Sequence, residues 1–234
     1  MGILHKQMKM TTVAGTAVAV TLAGEMMAAI RIGVVDTGLN PWHSHVRGNT
    51  TGCRMYLGQD GRVCVDGDFR DQVGHGTAVA GVIREAFPDA EIYAVRVFGA
   101  EGTTYPSLVA RGILQAAAEQ CEFVNLSLSV APGPGAEVLA AACAAVLGAG
   151  CVLVASAQPD RPGWLPASLP GVHAVTADDT LEFGEIRVDG PLRLAAPGRP
   201  RDLRLVSREA NLWGHSFACA RGLVHLVRER LAAA

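Results

Sequence analysis

Between residues 91 and 157 the sequence alternates, with unusual regularity, short apolar runs and longer stretches of helical spacing. EIYAVRVFG (91 to 99), CEFVNLSLS (121 to 129) and CVLVASA (151 to 157) read as strands. PSLVARGILQAAAEQ (106 to 120) and GAEVLAAACAAVLGAG (135 to 150) read as helices, the second stopped by glycine. A strand that returns to its own sheet through a helix gives a parallel pair, so the order predicts an α/β fold with a doubly wound, mostly parallel sheet. IRIGVV (30 to 35), GVHAVTA (171 to 177) and LRLAAPG (192 to 198) supply further strands. HGTAVAGVIREAF, from His75 to Phe87, reads as a helix closed by Pro88-Asp89. A last helix is expected from Ser216 to Arg230, apolar on the side of Phe217, Leu223, Val224 and Val227. Residues 47 to 73 are polar, rich in Gly and Asp and without a lasting period, and read as an excursion from the sheet.

Several function classes are disfavoured. With 20 Lys plus Arg against 22 Asp plus Glu, the formal charge of −2 offers no footprint for a nucleic acid. Half the residues are hydrophobic, enough for one substantial core, and no repeat or low-complexity linker divides 30–234. Residues 1–29 stand apart as an N-terminal element: Lys6 and Lys9 precede an apolar stretch that resembles a secretory signal, but Glu25 interrupts it. That stretch is too short to span a membrane, and its Thr/Val alternation also suits a strand or hairpin.

Six cysteines in a chain of this length do not make a disulfide scaffold. Cys121, Cys143 and Cys151 lie in apolar runs, as buried thiols do, which fits a reducing, cytoplasmic compartment. Cys53 and Cys64 lie in the polar stretch and could pair across a hairpin or stay free. No CxxC or HExxH occurs, and no metal or other cofactor is expected. Asp66, Asp68 and Asp71 could form an oxygen-rich cation loop, although a solvated acidic loop explains them as well.

Three segments carry chemistry. Asp36 ends a buried strand, where a carboxylate needs a partner such as an imidazole. His75 lies between two glycines at a helix start, where the missing side chains leave the ring approachable and the following N–H groups unpaired. Ser216 opens the last helix, so its hydroxyl faces a cleft and its N–H is suited to an anion. Each has an ordinary alternative: an Asx turn for Asp36, a packed polar residue for His75, a helix cap for Ser216.

Taken together, VVDTG, GHGTAVAG and GHSFA in this order, with VNLSLS, LVASAQ and Ala196-Pro197-Gly198 between them, resemble the subtilisin-like serine proteases of the S8 family, which carry Asp, His and Ser in that sequence. The resemblance runs from about Ile30 to Val227. It implies a three-layer subtilisin-like fold and peptide hydrolysis through an acyl-enzyme, with Ser216 as nucleophile, His75 as base and then acid, and Asp36 as the group that orients His75. It places Gln158, where relatives usually carry Asn, with the Ser216 N–H at the oxyanion, on a stem one methylene longer. Other departures are Ala78 for a second His, His215 for Thr, where a cleft-wall role is expected, and Ala220 for Pro.

The resemblance further implies that a peptide substrate pairs as an added strand with Ser127, Leu128 and Ser129 on one side and Gly102, Thr103 and Thr104 on the other. A specificity pocket would be bounded by Ala155, Ser156 and Ala157 and by the loop through Trp164, with Trp164 and Tyr105 as possible walls. No acidic residue marks its base. Only about 35 residues precede Asp36, which leaves no room for the inhibitory pro-domain of secreted relatives. The expected partner is therefore a peptide or precursor-protein substrate. Within the family, small size and Gln158 resemble the bacterial proteases that remove a leader peptide during maturation of the quinohemoprotein amine dehydrogenase small subunit. Two alternatives are a catalytically silent peptide-binding module and a nucleotide-binding α/β domain, the latter weakened because no GxGxxG follows the first strand.

Overall fold

A computed structural model describes residues 30–201, 207 and 210–233. The N-terminal element set apart in the sequence lies outside the described residues. In chain order the rest forms β1 (Arg31–Asp36), β2 (Thr50–Leu57), β3 (Val63–Asp66), α1 (His75–Ala86), β4 (Glu91–Arg96), α2 (Pro106–Ala118), β5 (Phe123–Leu126), α3 (Ala136–Gly148), β6 (Val152–Ser156), β7 (His173–Ala177), β8 (Arg187–Gly190), β9 (Arg193–Ala196) and α4 (His215–Ala232).

Alternation along the central strands splits the core in two. Ile32 and Val34 of β1 face α1 and α4, together with Val79, Ile83, Phe217 and Leu223. Val35 points the other way, toward Leu108, Val109 and Ile113 of α2 and Leu139 of α3. The same period of two sends Phe123 of β5 to the first layer and Val124 to the second. Each large side chain fully removed from water contributes about 1.5–3 kcal/mol, and Ile32, Ile83, Ile113, Phe123 and Leu223 all qualify. Close approach matters as well: a Cβ on Gly222 of α4 would lie 2.6 Å from Val175 Cγ2 of β7.

The strands form one sheet in the order β3-β2-β4-β1-β5-β6-β7-β9-β8. All neighbours are parallel except the two edge pairs, β2 with β3 and β8 with β9. From β1 the chain runs through β2, β3 and α1 to reach β4 on one side of β1, then crosses through α2 to β5 on the other. The connectivity thus reverses at β1, and a crevice opens at its carboxyl end, where open α/β sheets hold their sites. Asp36 is the last residue of β1.

The segment 47 to 73 departs from expectation, because it contains two strands. β2 pairs in parallel with β4, and β3 returns antiparallel beside it. Only Cys53 and Met55 of β2 are buried, so near the sheet edge the apolar signal falls to two residues among polar ones. β8, at the opposite edge, buries none of its residues fully. The register sets Cys64 opposite Tyr56, not Cys53, and both thiols are free. Among the described residues, no helix is long and apolar enough to cross a membrane.

Candidate active site

His75 is the first residue of α1, and the turn before it is organised around Asp71. Gly74, with φ of 97°, provides the left-handed step into the helix but offers no side-chain cap. The Asp71 carboxylate caps instead. Its Oδ1 accepts from the N–H groups of Val73 (2.9 Å) and Gly74 (2.7 Å) and from the Thr37 hydroxyl (2.9 Å). Its Oδ2 accepts from the Thr77 N–H (2.9 Å) and hydroxyl (2.7 Å). Thr37 Oγ1 in turn accepts from the Gly76 N–H at 2.9 Å. The N–H groups that follow His75 are therefore satisfied rather than open. Gly76 serves close packing, since a Cβ there would stand 2.2 Å from the Gly38 carbonyl oxygen. Asp66, Asp68 and Asp71 do not converge as a cation loop: Asp66 pairs with Arg54 and Asp68 with Arg70. No cluster of metal-ligating side chains occurs among the described residues.

This frame sets His75 against the end of β1. Its Nδ1–H donates to Asp36 Oδ1 at 2.7 Å, and the same oxygen accepts from the Thr37 N–H at 2.7 Å. Asp36 is 1% exposed, and its Oδ2 has no hydrogen-bond partner among the described residues. A carboxylate accepts only, so Nδ1 carries the proton and Nε2 is the basic nitrogen. Burial works against the imidazolium, but the charge and hydrogen bond of Asp36, with the charge of Asp71, outweigh it and hold His75 above its usual value.

Ser216 lies in the first turn of α4, and the ring of the next residue, Phe217, stands 5.9 Å from the His75 ring. Thr37, His75 and Ser216 line one cleft of about 550 Å³ with Gly102, Thr104, Ser127, Leu128, Ser129, Ser156 and Gln158. The Ser216 hydroxyl donates to the Ser127 carbonyl at 3.1 Å. Among the described residues, neither the Ser216 N–H nor the Gln158 carboxamide has a protein partner.

Other expected site residues are placed variously. Ala155 is fully buried within β6, away from the cleft. Ala157 lines an adjoining cavity, and Thr103 a separate one with Tyr105, which does not reach Ser216. Trp164 does line the cleft, with Arg161 stacked 4.4 Å from its ring. His215 stands in the cleft wall, where its Nδ1 accepts the Ala177 N–H at 2.9 Å and burial lowers its pKa. It is thus a neutral ring committed to a backbone bond.

Sequence reasoning missed the supports beneath Ser216. Asn125, fully buried in β5, donates to Ser127 Oγ at 2.8 Å, which donates to the Ser216 carbonyl at 2.8 Å. The Cys219 thiol, one turn on in α4, donates to Asn125 Oδ1 at 3.3 Å. The signal was present as a polar Asn inside the apolar run of VNLSLS.

A strand-end carboxylate, a helix-start imidazole and a helix-start serine on the carboxyl edge of a parallel sheet define a subtilisin-like α/β protein. The subtilase family model, peptidase S8, matches residues 28–180, and the chain belongs to that family. It is 30% identical over 216 residues to the thermostable alkaline protease of Halalkalibacterium halodurans, covering 86% of this chain and 57% of that one. The chain spans about half the length of the curated relatives it matches. Among solved structures, a cold-adapted subtilisin-like serine proteinase superposes with TM-score 0.63 at 22% identity, covering 86% of this chain and 76% of that one. The prenylagaramide maturation protease PagA superposes with TM-score 0.61 at 22% identity, covering 87% and 78%.

Proposed function

We propose that the protein is a serine endopeptidase of narrow specificity that removes a leader peptide from a precursor protein. The observation that carries the reading is the 2.7 Å bond between a buried Asp36 and His75 Nδ1, on the cleft that Ser216 also lines. With Nδ1 tied to Asp36, Nε2 takes the proton of Ser216 as its Oγ attacks the scissile carbonyl. Rotation of the Ser216 hydroxyl from the Ser127 carbonyl to Nε2 precedes this step. The oxyanion is met by the Ser216 N–H and the Gln158 carboxamide. His75 then protonates the leaving amine, and water repeats the sequence in reverse to release the acyl group. The peptide lies between Ser127–Ser129 and Gly102–Thr104, adding a strand.

The processing role is supported by the fold shared with a maturation protease, PagA, and by Gln158, which resembles the quinohemoprotein amine dehydrogenase proteases. A cytoplasmic location is part of the same proposal, and six free thiols, five of them buried, favour it. A second reading, a silent peptide-binding module, draws on the Ser216 hydroxyl being bonded to Ser127 rather than to His75. A fluorophosphonate separates the two: the peptidase reading requires covalent labelling of Ser216 in folded protein, lost in Ser216→Ala, and a defined cut in a precursor read by mass. Peptide binding without labelling at any pH would leave only the module.

A further inference from the structure

A second cavity, of about 260 Å³, opens off the cleft, and Ser129, Ser156, Gln158, Arg161 and Trp164 line both spaces. Gln158 fixes which substrate residue faces it. If the attacked carbonyl lies against the Gln158 carboxamide, the side chain of that same residue is the one beside the shared wall. The cavity is bounded by Ala174 and Thr176 of β7 and by Arg193 of β9. Arg193 is the register partner of Ala174, so the two project from the same face of the sheet.

The charge of this space is of one sign. Arg161 and Arg193 line it, and no carboxylate does. Arg161 is stacked on Trp164 and paired at 3.5 Å with Asp160, whose side chain is 73% exposed and lies outside the lining. Arg193 makes no hydrogen bond, ion pair or ring contact among the described residues. A guanidinium left without a carboxylate at the wall of a partly enclosed pocket supplies five donors and a full charge to whatever enters.

We infer that this cavity selects an acidic side chain, Asp or Glu, on the residue whose carbonyl is attacked, with Arg193 as its main partner and Arg161 as a second. The inference rests on the peptidase reading and gives it a substrate class. A lysine there would meet two like charges, and a glutamine would fill the same space without the charge-assisted bond.

Peptide aldehydes differing only in a terminal Glu, Gln or Lys, in competition with a fluorophosphonate for Ser216, provide the test. The Glu compound is expected to protect Ser216 at concentrations roughly 10- to 100-fold below the Gln compound, with Lys weakest. Arg193→Glu should transfer the preference to Lys, Arg193→Met should level Glu and Gln, and Asp160→Asn should sharpen the preference for Glu. The exposed position of Arg193 lets these variants fold, which circular dichroism and retained probe labelling check. Equal potency of Glu and Gln, a preference for Lys in the unaltered protein, or a Glu preference that survives Arg193→Glu overturns the inference while labelled Ser216 keeps the peptidase reading intact. Absence of labelling removes that reading first and this inference with it.

Discussion

His75 stands between opposed influences, burial against its charged form and two carboxylates for it, and the carboxylates prevail. On the proposed peptidase reading the neutral ring is the working form, so the acid limb of kcat/KM is expected above the ordinary imidazole value of 6.5. The linked effect on stability has the opposite sense: the raised value stabilises the fold fully below 6.5 and the gain disappears as pH rises through the raised value. Asp36→Asn should lower kcat/KM by about 10⁴-fold and move the limb toward acid, as read from a pH–rate profile. Gln158→Ala should cost roughly 10²- to 10³-fold in kcat with little change in KM if its carboxamide meets the oxyanion. Undiminished turnover would assign that donor elsewhere. At this scale the pairing of Asp36 with an imidazole and the placement of His75 and Ser216 on one cleft were legible because each lies in a short motif with a nearby glycine. Asp71 was not: it reads as one of three similar aspartates, and only the fold buries it while leaving Asp66 and Asp68 to arginines.

The first turn of α1 is the element on which the site depends. Burial disfavours the Asp71 carboxylate, but the hydrogen bonds from Thr77, Gly74 and Val73 outweigh it and hold its pKa below the usual carboxylate value. The stability it contributes is present above about pH 4 and is lost as pH falls through that lowered value. Asp71→Asn presents an amide where donors converge and should destabilise the protein by about 2–3 kcal/mol in a denaturant titration. Gly76→Ala should cost about 1–3 kcal/mol through overpacking against Gly38 and lower kcat by displacing His75. The elements themselves were readable in proportion to burial. β1, β4, β5 and β6 are almost wholly buried and largely apolar because helices cover both faces, and their positions were expected within a few residues. β2, β3 and β8 lie at or near the edges, where half the residues meet solvent and the pattern dissolves into polar sequence.

At the scale of the whole molecule, the described residues form a sheet between two helical layers, and the thiols report on that closure. Burial raises Cys121 and Cys219 to about 12 and Cys143 and Cys151 to about 11. Cys53 is also buried and raised, whereas Cys64 is only half-buried. A thiol reagent at neutral pH should therefore modify Cys64 quickly and the other five only at the rate of opening, with all six reacting in denaturant. Rapid native reaction of a second cysteine would contradict the packing. The two-layer order also has a bearing on biosynthesis. Among the described residues, Asp36 ends the first strand of the sheet and His75 begins the first helix, whereas Ser216 arrives on α4, after the nine strands. A ribosome that has made these strands has still not supplied Ser216, so a nascent chain holds the paired Asp36 and His75 without the hydroxyl proposed to attack. On the proposed peptidase reading, hydrolysis of any peptide must wait until the closing helix has emerged and docked.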